Sequence, residues 1–414
     1  MEAMEASRHI YGLLTGVTDA PPPRVRAWNG LEWGPSDASA TLVLRHPGSL
    51  RALLWPPSDL TAGEAYVFDD VDIEGDIVSV MRFGAGLLEA GWLTRLRLLR
   101  LIRHLPRDHR RHETERPRFA GRLHSIRRDR AAVSHHYDTG NDFFALFLDP
   151  NLVYSCAYFL DPDESLEAAQ IRKLDLICRK LDLRPGDRFL DVGCGWGALV
   201  VHAAANYGVE ATGVTVSGEQ ADEARKRAAE AGVTERVRIL HDDYRRVSGR
   251  FDAIASVGMA EHVGLARLPQ YFGHLRSLLA PGGQLLNHAI FTRSRKPAGR
   301  TSFVRTYVFP DGQIHKLEEA IAAAEDAGFE LRDVEALRQN YAITLRHWVD
   351  NLEVNAVAAR ALAGDRTYRI WRLYMAASSV AFEQGAIAVN QLLLSDPTRP
   401  WQFGRRRLLV TDDD

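Results

Sequence analysis

Cysteine is scarce in this chain of 414 residues. The three present, Cys156, Cys178 and Cys194, are odd in number and lack C-x-x-C spacing, so neither a disulfide framework nor a zinc knuckle is indicated. Long hydrophobic runs are missing too; none approaches the roughly 20 apolar residues that cross a bilayer as a helix. The opening Met1-Glu2-Ala3-Met4-Glu5 is acidic where a secretory signal is basic, and a cytoplasmic location is expected. Internal repeats and low-complexity tracts are absent. With 46% hydrophobic and 26% charged residues the chain reads as an ordinary globular protein with room for two or three domains.

An excess of either charge is also lacking, the formal net charge being -2, but the balance is uneven along the chain. Between Gly91 and Arg130 thirteen arginines stand against four acidic residues. A basic block in an otherwise acidic protein points to an anionic partner surface. In its first part Leu98, Leu99, Leu101 and Ile102 share one side of a helix and Arg97, Arg100 and Arg103 the other, as in an interfacial amphipathic helix. Leu93, Arg95 and Leu96 break that segregation, and a solvated arginine-rich linker between two domains is the competing reading.

What the chain does have is a short apolar strand that runs into alternating glycines: Phe189-Leu190-Asp191-Val192-Gly193-Cys194-Gly195-Trp196-Gly197. A strand followed by glycines that admit a ligand to the backbone marks the first nucleotide-binding turn of a doubly wound α/β sheet. A dinucleotide fold has G-x-G-x-x-G at this turn. The spacing here is G-x-G-x-G with Asp191 at the strand end, which resembles S-adenosylmethionine (SAM) methyltransferases. Residues 209–214, 237–240 and 251–257 read as further strands, 219–231 as a helix, and 284–292 as a fifth strand after the turn Pro281-Gly282-Gly283. The expected fold is therefore α/β, a class I SAM-methyltransferase (Rossmann-like) doubly wound sheet whose ligands sit beyond the carboxyl ends of the strands. Composition shifts divide the chain into an N-terminal domain over 1–103, with a strand-like run at 40–44, a basic linker over 104–130, and a methyltransferase domain over 131–414. Helical patterns over 340–362 and 368–382 add an extension that a small methyltransferase does not need.

Further segments make the resemblance specific. His135-His136-Tyr137-Asp138-Thr139-Gly140-Asn141-Asp142-Phe143-Phe144, Tyr154-Ser155-Cys156-Ala157-Tyr158-Phe159, Val257-Gly258-Met259-Ala260-Glu261-His262-Val263-Gly264 and Asn390-Gln391-Leu392-Leu393-Leu394 occur in the order seen in the cyclopropane fatty acid synthase family. The similarity covers nearly the whole chain, and the N-terminal unit resembles the bacterial phospholipid-acting branch more than the shorter mycolic acid enzymes. The resemblance implies methylene transfer from SAM to the cis double bond of an unsaturated phospholipid acyl chain. Methylation of that π bond creates a carbocation. Tyr158, Phe159, Tyr307 and Phe309 could stabilise it by cation-π contact, or serve simply as core residues. In the family a bound bicarbonate takes the proton whose loss closes the ring, and its site carries over onto Cys156, Glu261, His288, Ile290 and Tyr341. Glu261 would accept the bicarbonate hydrogen, His288 and Tyr341 would donate, and Cys156 and Ile290 would line the site.

The SAM contacts implied by the same resemblance are Tyr154 and Ser155 at the methionine end, Asp191, Gly193 and Gly195 beneath it, and Thr215 and Gln220 towards the ribose. Many methyltransferases carry an acidic residue at the end of the second strand; Val214-Thr215-Val216-Ser217 has none, and Gln220 takes its place. Asp242 and Asp243 are both positioned for the adenine. A metal site is not supported by the spacing of Cys, His and Glu. The implied partner is unsaturated phospholipid in an anionic membrane, met peripherally at its inner face, and a homodimer is compatible with the sequence. Rival readings remain. A methylene-forming fatty acid methyltransferase shares substrate and cation, and 53–60 with 65–67 resembles actinobacterial members that include such enzymes. A nucleic-acid methyltransferase lacks support because no N-P-P-Y type motif is present. A catalytically silent lipid- or SAM-binding protein is opposed by the intact Glu261, His288 and Tyr341.

Overall fold

A computed structural model describes residues 3–87, 91–107, 116, 128, 140–293 and 302–400. Contacts divide the chain into two units that are not contiguous in sequence. The first is Met1–Arg118, Pro297–Pro310 and Trp348–Ala381; the second is Phe119–Lys296, Asp311–His347 and Phe382–Asp414. Composition suggested boundaries at 103 and 130, whereas two segments of the C-terminal half cluster with the N-terminal residues. Such clustering depends on which buried faces meet, and that leaves no mark on local composition.

The first unit holds β1 (Arg24–Arg26), β2 (Glu32–Trp33), β3 (Ala40–Leu44) and β4 (Val71–Gly75) in the order β2-β1-β3-β4, with β1 and β3 parallel and the other pairs antiparallel. The strand-like run at 40–44 is β3. Helices α1 (Ala3–Thr15), α2 (Ser49–Leu54), α3 (Asp59–Val67), α4 (Ile77–Leu87) and α5 (Trp92–Ile102) accompany it. On α5, Arg97 and Arg100 are exposed, as is the C-cap Arg103, while Leu98, Leu99 and Leu101 are half-buried and Ile102 is buried, so the helix divides its faces as expected. Trp92, Leu93 and Leu96 are exposed among the arginines. Arg51 donates to the carbonyls of Ile102 (2.9 Å) and Leu105 (3.3 Å) and so satisfies acceptors at the helix C-terminus. Arg116 grips Glu64 through two bonds of 2.7 and 2.9 Å, so its charge is used inside the unit. Arg110, Arg111, Arg118, Arg122, Arg127, Arg130 and the motif residues His135 to Thr139 lie outside the described residues.

The second unit is built on seven strands: β5 (Arg188–Val192), β6 (Glu210–Thr215), β7 (Val237–His241), β8 (Phe251–Val257), β9 (Leu279–Thr292), β10 (Glu330–Ala336) and β11 (Ile387–Ser395). Their order is β10-β11-β9-β8-β5-β6-β7; β9 through β7 are parallel, and β11 runs antiparallel to both of its neighbours. The five expected strands are β5 to β9. Pro281-Gly282-Gly283 is an irregularity within β9 rather than a turn before it: Phe251 pairs with Leu279 but Ala253 with Gln284, and Gly282 has φ 73°. The main helices are α6 (Leu166–Lys180), α7 (Ala198–Tyr207), α8 (Gly218–Glu230), α9 (Leu268–Leu278), α10 (Leu317–Asp326), α11 (Arg338–Val354) and α12 (Ala356–Glu383), the last broken at Gly364. From Trp348, α11 clusters with the first unit, as does α12 up to Ala381.

Both faces of the sheet are covered. Leu190, Val192, Ile254 and Leu285 pack with Phe272 and Leu275 of α9; Phe189, Ala253 and Leu286 pack with Ile177 of α6 and Val200 and Ala203 of α7. These near-continuous apolar runs are what strands buried on two sides require. Truncating one of the leucines to alanine would cost about 2–5 kcal/mol. The chain winds from β5 outward through β6 and β7, then returns to β8 on the other side of β5. That reversal opens a crevice beyond the carboxyl ends of β5 and β8, where a doubly wound sheet binds its ligand.

Candidate active site

β5 ends in Asp191 and Val192, and the chain turns through Gly193 (φ 81°), Gly195 (φ 53°) and Gly197 (φ 87°) into α7. A Cβ on Gly193 would lie 2.6 Å from Met259 Cγ, so only glycine lets this turn pass beneath the segment that follows β8. A Cβ on Gly195 would meet no protein atom within 4 Å, which leaves that stretch of backbone open to a ligand. The amides of Gly193 and Cys194 both donate to Val214 O (2.9 and 3.1 Å), tying the turn to the end of β6. Asp191 is buried, and its Oδ1 has no partner among the described residues. Burial raises its carboxyl pKa and lowers that of the buried Lys173 ammonium; their mutual attraction opposes both shifts.

Lys173 Nζ donates to Ser155 Oγ at 2.8 Å, and Gln170 Nε2 donates to Ser155 O at 2.9 Å. Tyr154 packs edge-on to Phe144 at 5.6 Å, which in turn packs on Trp196 at 5.1 Å. The expected methionine-end residues, Tyr154 and Ser155, are thus fastened to α6 and to the glycine turn. Gln170 and Lys173 were not singled out in the sequence. Their signal is a polar interruption of an apolar stripe: Leu166, Ala169, Gln170, Lys173, Leu174, Ile177 and Lys180 are all buried on α6.

At the next strand end, Thr215 Oγ1 donates to Gln220 Oε1 at 2.7 Å and accepts from Ser217 N at 3.2 Å. Ser217 caps α8 by accepting from Gln220 N. Gln220 is therefore held at the carboxyl end of β6, where an acidic residue often stands in this fold. The two aspartates after β7 differ. Asp243 is buried, and its carboxylate is committed to Arg245 through bonds of 3.0, 2.7 and 2.6 Å. Asp242 is more open; it accepts from Asp243 N at 2.8 Å and meets Arg246 at 3.4 Å. Of the pair, Asp242 is the one with acceptor capacity to spare.

The second cluster forms past β8. Glu261 stands in the first turn of a short helix, Ala260–Val263, and its Oε1 accepts from Ile290 N on β9 at 2.7 Å. Its Oε2 is buried and has no partner among the described residues, and burial raises the carboxyl pKa to about 7. His288 lies two residues back on β9, hence on the same face as Ile290. Its Nδ1 contacts Gln391 Nε2 at 3.2 Å, while Nε2 is buried without a partner among the described residues. Burial, with Lys173 and Lys180 nearby, lowers its pKa to about 3, so the ring is neutral. A chain of contacts links β9 to the segments that carry Cys156 and Tyr341. Cys156 Sγ donates to Ala157 O at 3.2 Å and weakly to Leu337 O at 3.7 Å; Leu337 N donates to Val389 O at 2.9 Å; Val389 pairs with Ile290. Asn340 and Thr344 accept from Phe159 N and Ala157 N, which fastens the 156–159 segment to α11, the helix that carries Tyr341. Tyr341 is buried against Phe382. Burial raises the Cys156 pKa well above its ordinary range, so the side chain stays an unreactive thiol.

The aromatics expected near a cation are spread over both units. Tyr158 donates to Glu335 at 3.3 Å, and Phe159 stacks on His347 at 5.4 Å, in the second unit. Tyr307 donates to Glu64 at 2.8 Å, and Phe309 packs edge-on to Tyr374, in the first. Among the described residues no group of three or more His, Cys, Asp or Glu could hold a metal ion. No described helix is long and apolar enough to cross a membrane.

Residues 124–392 match the family model described as mycolic acid cyclopropane synthetase. The chain belongs to this family. A probable fatty acid methyltransferase of Pseudomonas putida is 40% identical over 401 residues, spanning 95% of this chain and 96% of the relative. The cyclopropane-fatty-acyl-phospholipid synthase of Escherichia coli K12 is 37% identical over 273 residues, 66% of this chain and 70% of its own. The solved structure of mycolic acid cyclopropane synthase CmaA1 complexed with SAH and CTAB aligns with a TM-score of 0.62 at 34% identity, covering 64% of this chain and 98% of that one. As a member of the family the chain is a SAM-dependent methyltransferase. Its own residues fit that cofactor: backbone open at Gly195, an unpartnered carboxylate oxygen on Asp191, and Gln220 fixed at the end of β6.

Proposed function

We propose that this protein transfers a one-carbon unit from SAM to the cis double bond of an unsaturated phospholipid acyl chain and closes a cyclopropane ring there, with bicarbonate held as the base. One observation carries the reading. The site presents a buried carboxylate oxygen, Glu261 Oε2, and a buried ring nitrogen, His288 Nε2, neither with a partner among the described residues. Leaving such groups unpaired costs about 1–3 kcal/mol each. A small anion that carries one O–H satisfies both, giving its hydrogen to Glu261 and accepting from His288 and the Tyr341 hydroxyl.

SAM supplies an electrophilic methyl when bound, and bicarbonate a base of modest strength beside it. Glu261 holds the O–H end, and the Ile290 amide fixes the Glu261 carboxylate in turn. His288, neutral, donates without adding a charge that would repel a cationic acyl chain. Cys156 and Ile290 keep the surroundings apolar, and of the four aromatics expected near a developing cation Tyr158 and Phe159 lie in this unit. The exposed arginines of α5 support peripheral contact with an anionic bilayer, each basic group near such a surface contributing about 1 kcal/mol.

Expression in a host that lacks its own cyclopropane synthase, followed by mass spectrometry and proton NMR of the fatty acids, tests the reading. The expected result is one added CH₂ on monoenoic chains with high-field ring protons; absence of added carbon with SAM and lipid present overturns it. Vinylic methylene protons would instead identify the methylene-forming reaction. The near full-length relative is named only as a probable fatty acid methyltransferase, a name that fits either product.

A further inference from the structure

His288 sits opposite Gln391 in the β9–β11 register, within the Asn390-Gln391-Leu392-Leu393-Leu394 motif. Gln391 Nε2 lies 3.2 Å from His288 Nδ1, and at its other end Gln391 Oε1 accepts from Lys180 Nζ at 2.7 Å. Lys180 is also paired with Glu335, whose second oxygen accepts from Tyr158 at 3.3 Å. Lys180, Gln391 and His288 are all buried, with exposures of 2, 1 and 2%, so bulk water cannot exchange for these partners.

The direction of the chain follows from its first member. An ammonium has donors only, so the Gln391 atom facing Lys180 is the carbonyl oxygen. The other end of the amide is then NH₂, also a donor. His288 Nδ1 must accept, and the single proton of the neutral ring resides on Nε2. With the opposite tautomer two donors would face each other in a dry interior, and Nε2 would become a bare acceptor.

We propose that Lys180 and Gln391 are positioning residues that fix His288 as the neutral Nε2–H tautomer, so that the site offers an N–H donor to its anion. The catalytic use of that donor rests on the bicarbonate reading above; the tautomer itself does not. Burial and the two lysines add to the effect by keeping the ring from taking a second proton.

The test uses the full chain with ¹⁵N-labelled histidine and long-range proton–nitrogen correlation, the His288 signals being assigned by their loss in His288→Asn. Wild type is expected to show a protonated Nε2 and an unprotonated, hydrogen-bonded Nδ1. Gln391→Glu keeps the shape but places an acceptor against Nδ1, so the proton should move to Nδ1. Turnover on vesicles of unsaturated phospholipid should then fall on the order of 10²-fold or more with unchanged SAM affinity, since a wrong histidine tautomer costs about 10⁴-fold in a serine protease triad. Lys180→Met, which frees the amide to rotate, should give mixed tautomers and a smaller loss. A wild-type spectrum with the proton on Nδ1, or a Gln391→Glu protein that keeps the Nε2–H tautomer whatever its turnover, overturns the proposal. If the tautomers behave as stated while wild-type turnover ignores rigorous bicarbonate depletion, the positioning stands and the bicarbonate reading fails.

Discussion

Two buried polar clusters, one in each unit, are finished to different degrees. In the first unit Arg369 bonds Asp365 (2.8 Å), Tyr66 O (2.9 Å) and Asp69 (2.9 Å), and Arg372 bonds Glu353 (2.7 Å), the Tyr66 hydroxyl (2.9 Å), Ile73 O (3.0 Å) and Gly75 O (2.9 Å). Every nitrogen of both guanidiniums has a partner within the protein. In the second unit Asp191 Oδ1, Glu261 Oε2 and His288 Nε2 are buried with none among the described residues. A satisfied network spends its polar groups on holding elements together. An unsatisfied one keeps them for a ligand at a cost in stability. Burial alone therefore does not distinguish the two clusters; what does is whether their buried atoms have partners.

The sharpest way to break this contrast is at Glu261. Glu261→Gln preserves shape but puts a permanent amide donor where the ionised carboxylate only accepts, so turnover should fall about 10²- to 10⁴-fold, the usual worth of positioned acid–base assistance. The SAM dissociation constant, read by calorimetry, should change little. Full activity of the variant would remove Glu261 from the site.

Arg372 should respond in the opposite sense. Arg372→Met removes one partner of a finished network and leaves Glu353 and two carbonyls unpaired. A loss of about 3–5 kcal/mol in unfolding free energy is expected by denaturant titration. A loss under 1 kcal/mol would mean that the first network is no more structural than the second.

A smaller effect tests the stability cost of the unfinished cluster. Burial lifts the Glu261 pKa from 4.5 to about 7. Between these values the native protein retains a proton that the unfolded chain gives up, so Glu261 makes stability fall as pH rises through that window. Glu261→Gln deletes this contribution to the slope. Measured without added bicarbonate, the variant should gain on wild type by on the order of 1–3 kcal/mol between pH 4.5 and pH 8. A constant difference across that range would show that the carboxyl is not strained by burial.

The smallest expected effect per residue concerns α5, which belongs to neither cluster. Charge reversal of Arg97, Arg100 and Arg103 should weaken co-sedimentation with anionic vesicles by about 1 kcal/mol per arginine at low salt, and the difference should shrink as salt screens it. Equal binding of both proteins to neutral and anionic vesicles would leave the basic face of α5 without a role at membranes.

Much of the second unit was legible because its signals are local. The strand Phe189-Leu190-Asp191-Val192, the glycines that follow and the parallel strands β6 to β8 are written in short apolar runs with turn residues between them. β10 and β11 were not read as strands. β10, Glu330 to Ala336, is a charged edge strand with a half-exposed pattern, and in β11 Asn390 and Gln391 interrupt the apolar run. The site residues were named through family motifs, whereas Lys173, Lys180 and Glu335 were missed. Two lysines on an amphipathic helix look solvated until the helix's burial is known.

The sequence by itself determined the glycine turn, the alternation of strands and helices, and the residue types proposed to hold SAM and a small anion, because backbone freedom, hydrophobic periodicity and donor or acceptor character are properties of neighbours along the chain. Only the tertiary structure decided that Asp243 is committed to Arg245 while Asp242 is not, and that segments 297–310 and 348–381 cluster with the N-terminal residues. It alone decided, too, that an amide on β11 stands between a lysine on α6 and a histidine on β9. Those facts depend on which distant groups share a dry interior, and a hydrogen bond there has a direction and a strength that no stretch of sequence specifies.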